Sequence, residues 1–229
     1  MSKHPSLYHS MSQRCVTAGW VYSAFQLFFL PGILLDFATT WRISDALINF
    51  IYYSLNFVFS FWIFRYYLLE SLGKAGRHLF RFLLAVAVGF VAHWAVSQVS
   101  GMLLKYFDAG FSNVNDQAIA AMIADSPALM AVGLILMVPV TEECLFRGLI
   151  FSQLYPKSRF LAYALSATAF CAVHVMGYIG TVPPLTLLLC AAQYIPAGLI
   201  LAASYRSCGS IIAPIFIHAA ANAAAYLSL

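Results

Sequence analysis

The chain has 229 residues, 62% of them hydrophobic and 9% charged, with a formal net charge of +4 and a mean hydropathy of +0.84. A soluble domain carries about 25% charged residues, so this composition excludes a soluble globular protein and points to a polytopic helical membrane protein. The positive residues are scattered between apolar spans, which makes them markers of orientation in a bilayer and gives no nucleic-acid-binding surface.

Residues 1–15 are polar, serine-rich and carry Lys3 and Arg14. Residues 16–35 read as a first span, bent or ended near Pro31-Gly32. Its flanks resemble a signal peptide, but its apolar part is long and no A-x-A pattern follows, so it reads as retained. The second span is 46–64, after which Arg65, Lys74, Arg77 and Arg81 form the most basic loop. The third is 82–99, where His93 and Gln98 are expected to hydrogen-bond to neighbouring helices. Residues 101–125 are the most polar internal stretch, with a short interfacial helix expected over 118–124.

Spans four to seven follow at 128–154, 160–176, 185–203 and 211–228, with a short loop at 206–210. The expected fold is therefore all-α, a polytopic transmembrane bundle of about seven spans. No repeat or linker divides it, so residues 1–229 read as a single integral-membrane domain. With the N-terminus inside, nine Lys and Arg fall in inner segments against two, Arg42 and Lys105, in outer ones. That asymmetry orients the chain N-inside. The five cysteines (Cys15, Cys144, Cys171, Cys190, Cys208) form no CxxC pair, and their odd number argues against a disulfide framework.

One stretch, residues 138–151, departs from this apolar background. Thirteen uncharged residues (128–140) lead into Glu142, Glu143 and Arg147. Charges at membrane depth cost a few kcal/mol each on insertion scales, so three together need compensation. On a helix Glu143 and Arg147 are one turn apart and can pair. Glu142 points about 100° away from Glu143 and is free to face something else. The bland reading of the group is a salt-bridged helix end at the membrane surface; the sharper one, which the later spans favour, is a buried carboxylate kept for chemistry.

Two later spans carry further polar groups. Phe170 and His174 lie one turn apart on one helical face, and so do His218 and Asn222. At about 1.5 Å per residue, Glu142 lies about 15–18 Å from the inner end of its span. His174, His218 and Asn222 lie about 21, 11 and 17 Å from theirs by the same rise. Three helices thus offer polar groups at compatible depth. A carboxylate with a histidine can act as general base toward water. A second histidine and an asparagine amide can donate to a developing oxyanion. Hydrolysis of a peptide bond in or near the membrane would use all four.

The ordered set Glu142-Glu143-xxx-Arg147, Phe170-xxx-His174 and His218-xxx-Asn222 resembles the CPBP family, the CAAX-protease and bacteriocin-processing (Abi) intramembrane endopeptidases. The resemblance covers about residues 134–225, and includes the Gly198-Leu-Ile-Leu-Ala stretch and the run from Tyr205 toward His218. It implies Glu142 as catalytic base, His174 as its partner on the water, and His218 and Asn222 as the oxyanion site. Glu143, Arg147 and Phe170 are supporting residues. The implied function is cleavage of a membrane-associated protein or peptide, as in prenylated-tail, sorting-signal or bacteriocin-type maturation. The partners are the lipid bilayer and a membrane-anchored or membrane-inserted substrate, with no nucleic acid. The setting is a multi-pass protein of the prokaryotic cytoplasmic membrane. No cofactor is expected on the glutamate mechanism; the alternative is a zinc site formed by Glu142, His174 and His218. The competing function classes are a non-catalytic peptide-binding or immunity relative and a proton-relaying transporter.

Overall fold

The structure, a computed structural model, describes residues 11–228; the expectations for the first ten residues and for Leu229 lie outside them. The described chain is helical, with no strand among the described residues. Its elements are α1 (Gln13–Phe28), α2 (Leu30–Trp41), α3 (Asp45–Arg77), α4 (Leu79–Phe107) and α5 (Val114–Asp125). After them come α6 (Pro127–Leu154), α7 (Arg159–Val175), α8 (Pro184–Cys208) and α9 (Ile212–Leu227).

Among the described residues, six segments are long and apolar enough to cross a bilayer. The first combines α1 and α2, which meet at Phe29. Pro31 explains the joint, because it lacks an N–H and is tolerated only in the first turn of a new helix. The seventh expected span, α9, is apolar but has only 16 residues. At about 1.5 Å per residue that is about 24 Å, short of the roughly 30 Å hydrocarbon core.

Two expected loops are helical instead. The basic stretch 65–81 is the continuation of α3 to Arg77, and α4 starts again at Leu79. Lys and Arg are good helix formers, and Lys74 and Arg77 in the last turn complement the helix dipole. Residues 206–208 likewise belong to α8, which ends at Gly209 in the left-handed conformation (φ 70°) that glycine adopts without strain.

The bundle buries a core between α3, α6, α7, α8 and α9, built on Phe64, Phe146, Leu149, Phe170, Leu201 and Ile217. The Tyr67 and Tyr205 hydroxyls meet inside it at 2.8 Å, so neither is buried unpaired. α8 packs against α7 and α4, while α9 lies on α4 and α6. On its outer face α4 exposes Phe80, Leu83, Leu84, Val88, Val91 and Trp94. Such an apolar face is stable against lipid and costly against water.

α6 is not a regular α-helix. It widens into π-helical turns at Gly133–Met137 and Cys144–Phe151. Pro139 contributes, since it has no N–H for the preceding turn. Wide turns free backbone carbonyls, and neighbouring side chains satisfy them: Asn222 Nδ2 donates to Leu134 O at 2.8 Å and Ser166 Oγ to Phe146 O at 3.0 Å. The two ends of the bundle are tied separately. At one, Ser210 Oγ donates to Ser71 O (2.8 Å) and Arg81 Nε to Ser207 O. At the other, Asn113 Nδ2 donates to Gln193 Oε1 (2.9 Å) and Tyr226 Oη to Pro127 O (3.2 Å).

Candidate active site

The two adjacent glutamates of α6 face different surroundings, as their angular offset requires. Glu143 is fully buried, and its Oε1 accepts from Arg147 Nη1 at 2.9 Å. Arg147 is equally buried and donates from Nη2 to Gly198 O at 2.9 Å, with its guanidinium carbon 4.8 Å from the centre of the Phe170 ring. Ion pair, carbonyl and aromatic face together replace the hydration that this cation gives up. Glu142, on the neighbouring face, lines a cavity of about 650 Å³ whose wall also includes His174, His218 and Asn222.

The hydrogen-bond network assigns the tautomers of both histidines. His218 Nδ1 lies 3.0 Å from Glu143 Oε1, so it donates to that carboxylate. This leaves Nε2, 4.0 Å from Glu142 Oε2. His174 Nδ1 lies 2.7 Å from Phe170 O and donates to it, leaving Nε2 available. Glu142 Oε2 itself is buried and has no hydrogen-bond partner among the described residues. Asn222 spends one of its amide hydrogens on Leu134 O and keeps the second.

All four residues read from the sequence as catalytic thus meet on one cavity, and Glu143, Arg147 and Phe170 stand directly behind it. The pairing of His218 with Glu143 was not legible, because it joins residues 75 positions apart. Nor was Tyr194. Its ring stacks on His174 with centroids 4.3 Å apart at 26°, its hydroxyl donates to Asp116 Oδ1 (3.1 Å), and it accepts from Asn115 Nδ2 (3.1 Å). The one signal was that 113–116 falls in the polar stretch 101–125, which does not by itself mark a wall of the site. Burial holds the Asp116 carboxyl above its ordinary pKa, against the opposing effects of the Tyr194 hydrogen bond and of His174.

Among the described residues, no three His, Cys, Asp or Glu side chains are grouped so as to hold a metal ion, and this includes Glu142, His174 and His218. Each histidine uses Nδ1 in a hydrogen bond, to Phe170 O and to Glu143, and keeps Nε2 free. Cys144 is fully buried in the core, away from the cavity wall.

Searches of curated proteins and of solved structures found no match. Residues 124–224 match the family model described as Type II CAAX prenyl endopeptidase Rce1-like. The matched segment contains every one of the seven residues above, on the three helices α6, α7 and α9 that bring them together. Over these residues, a little under half of the chain, the protein is similar to that family of membrane endopeptidases, in agreement with the motifs at Glu142, His174 and His218.

Proposed function

We propose that the protein hydrolyses a peptide bond of a membrane-anchored or membrane-inserted substrate, in the cytoplasmic membrane of a prokaryote, using a water molecule activated by Glu142. The observation that carries this reading is the convergence of Glu142, His174, His218 and Asn222 on one cavity, with a Glu142 oxygen left unpartnered. A water held on the unpartnered Glu142 Oε2, in the cavity that His174 also lines, would be poised for deprotonation. Glu143 is unsuited to that role, since it is fully buried off the cavity wall and its Oε1 is shared by Arg147 and His218.

In this scheme Glu142 takes a proton as the water oxygen adds to the scissile carbonyl carbon. The neutral His174 presents Nε2 as an acceptor that orients the water. The free amide hydrogen of Asn222 donates to the oxyanion, and His218 does so from Nε2 when its ring is protonated. Collapse of the tetrahedral intermediate breaks the C–N bond, and Glu142 returns its proton to the leaving amine. Chain substrates of the prenylated-tail, sorting-signal and bacteriocin-precursor kinds all offer such a bond.

Glu142→Gln keeps the shape and hydrogen bonding of the side chain but removes the base. It is expected to lower kcat by about two to four orders of magnitude, with an unchanged melting temperature in detergent. Cleavage of a membrane-peptide library, read by mass spectrometry, measures this. Wild-type rates in Glu142→Gln would remove the glutamate mechanism.

A further inference from the structure

Among the described residues, five buried side-chain nitrogen or oxygen atoms lack a hydrogen-bond partner: Gln26 Oε1, Thr141 Oγ1, Glu142 Oε2, Glu143 Oε2 and Arg147 Nε. Gln26, Thr141 and Glu142 all line the same cavity. Native proteins leave few such groups, and each one calls for a partner. Gln26 Oε1 and the Glu142 carboxylate only accept, and Thr141 Oγ1 can accept as well as donate, so a donor is the partner that suits all three. Gln26 is the most telling. It is only 4% exposed, and Tyr52 Oη donates to its backbone carbonyl at 3.1 Å, which fixes the residue on the α1–α3 side. It lies outside the segment shared with the family.

Charge points the same way. The described cavity wall carries two carboxylates, Asp116 and Glu142, and no Lys or Arg. Arg147 is not part of that wall and is committed to Glu143 and Gly198. A free carboxylate seated here would meet two like charges, with only the titratable rings of His174 and His218 to oppose them. An ammonium or guanidinium would meet acceptors and opposite charge together. We infer that the substrate segment held in this cavity donates hydrogen bonds and carries a basic side chain, and that Gln26 and Asp116 select it.

This inference rests on the peptidase reading, and its test keeps the two apart. The probes are fluorescein-labelled apolar peptides carrying one internal Lys or norleucine, each with a free or an amidated C-terminus. Fluorescence anisotropy with the purified full chain reads binding, and mass spectrometry of the same samples reads cleavage. The Lys peptide is expected to bind about tenfold more tightly than its norleucine counterpart, the scale of a charge-assisted hydrogen bond. Asp116→Asn should bring the two close to equal, Gln26→Leu should weaken the Lys peptide, and a free carboxylate should weaken either. Equal binding of Lys and norleucine peptides, tighter binding of the free acid, or a Lys preference untouched by Asp116→Asn would each overturn the inference. Lys-selective binding without cleavage leaves the subsite standing and removes the peptidase reading; cleavage without Lys selectivity does the reverse.

Discussion

Glu142 and Glu143 have the same chemistry, and their surroundings divide their tasks. Glu143 accepts from two partners in a dry interior, while Glu142 looks onto a cavity with an oxygen unpaired. Breaking a buried pair by removing one member leaves an uncompensated charge, at a typical cost of 3–5 kcal/mol. Arg147→Ala is therefore expected to lower the melting temperature in detergent sharply and to abolish activity. Arg147→Lys should rescue only part, because a single ammonium lacks the fork that reaches Glu143 and Gly198 at once. A stable, fully active Arg147→Ala protein would contradict the pairing. Asp116 supports a second residue-scale expectation. Its raised pKa means that acidification neutralises it earlier than an ordinary aspartate. The groups that face it are Tyr194, which donates to it, and His174 and Tyr178. The Lys-peptide preference should be full above that pKa and fade as pH falls through it, at a pH above the usual aspartate range. Asp116→Asn should abolish this pH dependence.

At the scale of helices, α8 meets α7 closely enough that a side chain at residue 198 has no room. A Cβ added at Gly198 would lie 3.0 Å from Ala167 Cα and 3.2 Å from its Cβ. The same glycine offers its carbonyl to Arg147. Gly198→Val is expected to push the two helices apart, at about 1–3 kcal/mol for overpacking and more if the Arg147 contact is lost. Thermal melts of the variant in detergent, compared with Gly198→Ala, measure this. The helices themselves were legible because in a bilayer an apolar run has few alternatives to a helix. The sites on them were legible because charge is so rare in such runs that Glu142, Glu143 and Arg147 stand out. The exits of the helices were not. Nothing in residues 65–77 distinguishes a basic loop from the end of a helix that continues past the apolar window. The wide turns of α6 were hidden too, since they are stabilised by Asn222 and Ser166 from helices further along the chain. The pattern gives depth and face, but which side chain on that face meets which depends on tertiary packing.

For the whole molecule, the cavity and most of the basic residues, Arg42 and Lys105 excepted, occupy opposite ends. The cavity wall takes in Asn49 at the start of α3, Asn115 on α5, Gly177 just past α7 and Ser228 just past α9. In an up-and-down bundle all four belong to one end. Lys74, Arg77, Arg81, Lys157, Arg159 and Arg206 belong to the other, where Arg81 is tied to Ser207 and Ser210 to Ser71. Positive residues favour the cytoplasmic side, so the expected arrangement has the basic end in the cytoplasm and the cavity opening away from it. Single cysteines test this in a chain whose five native cysteines are replaced. Asn115→Cys should react with a membrane-impermeant thiol reagent in intact cells, and Arg77→Cys only after permeabilisation. A reporter fused after Leu229 should read as non-cytoplasmic. The reverse labelling pattern would turn the molecule over, and substrates would then have to reach Glu142 from the cytoplasm.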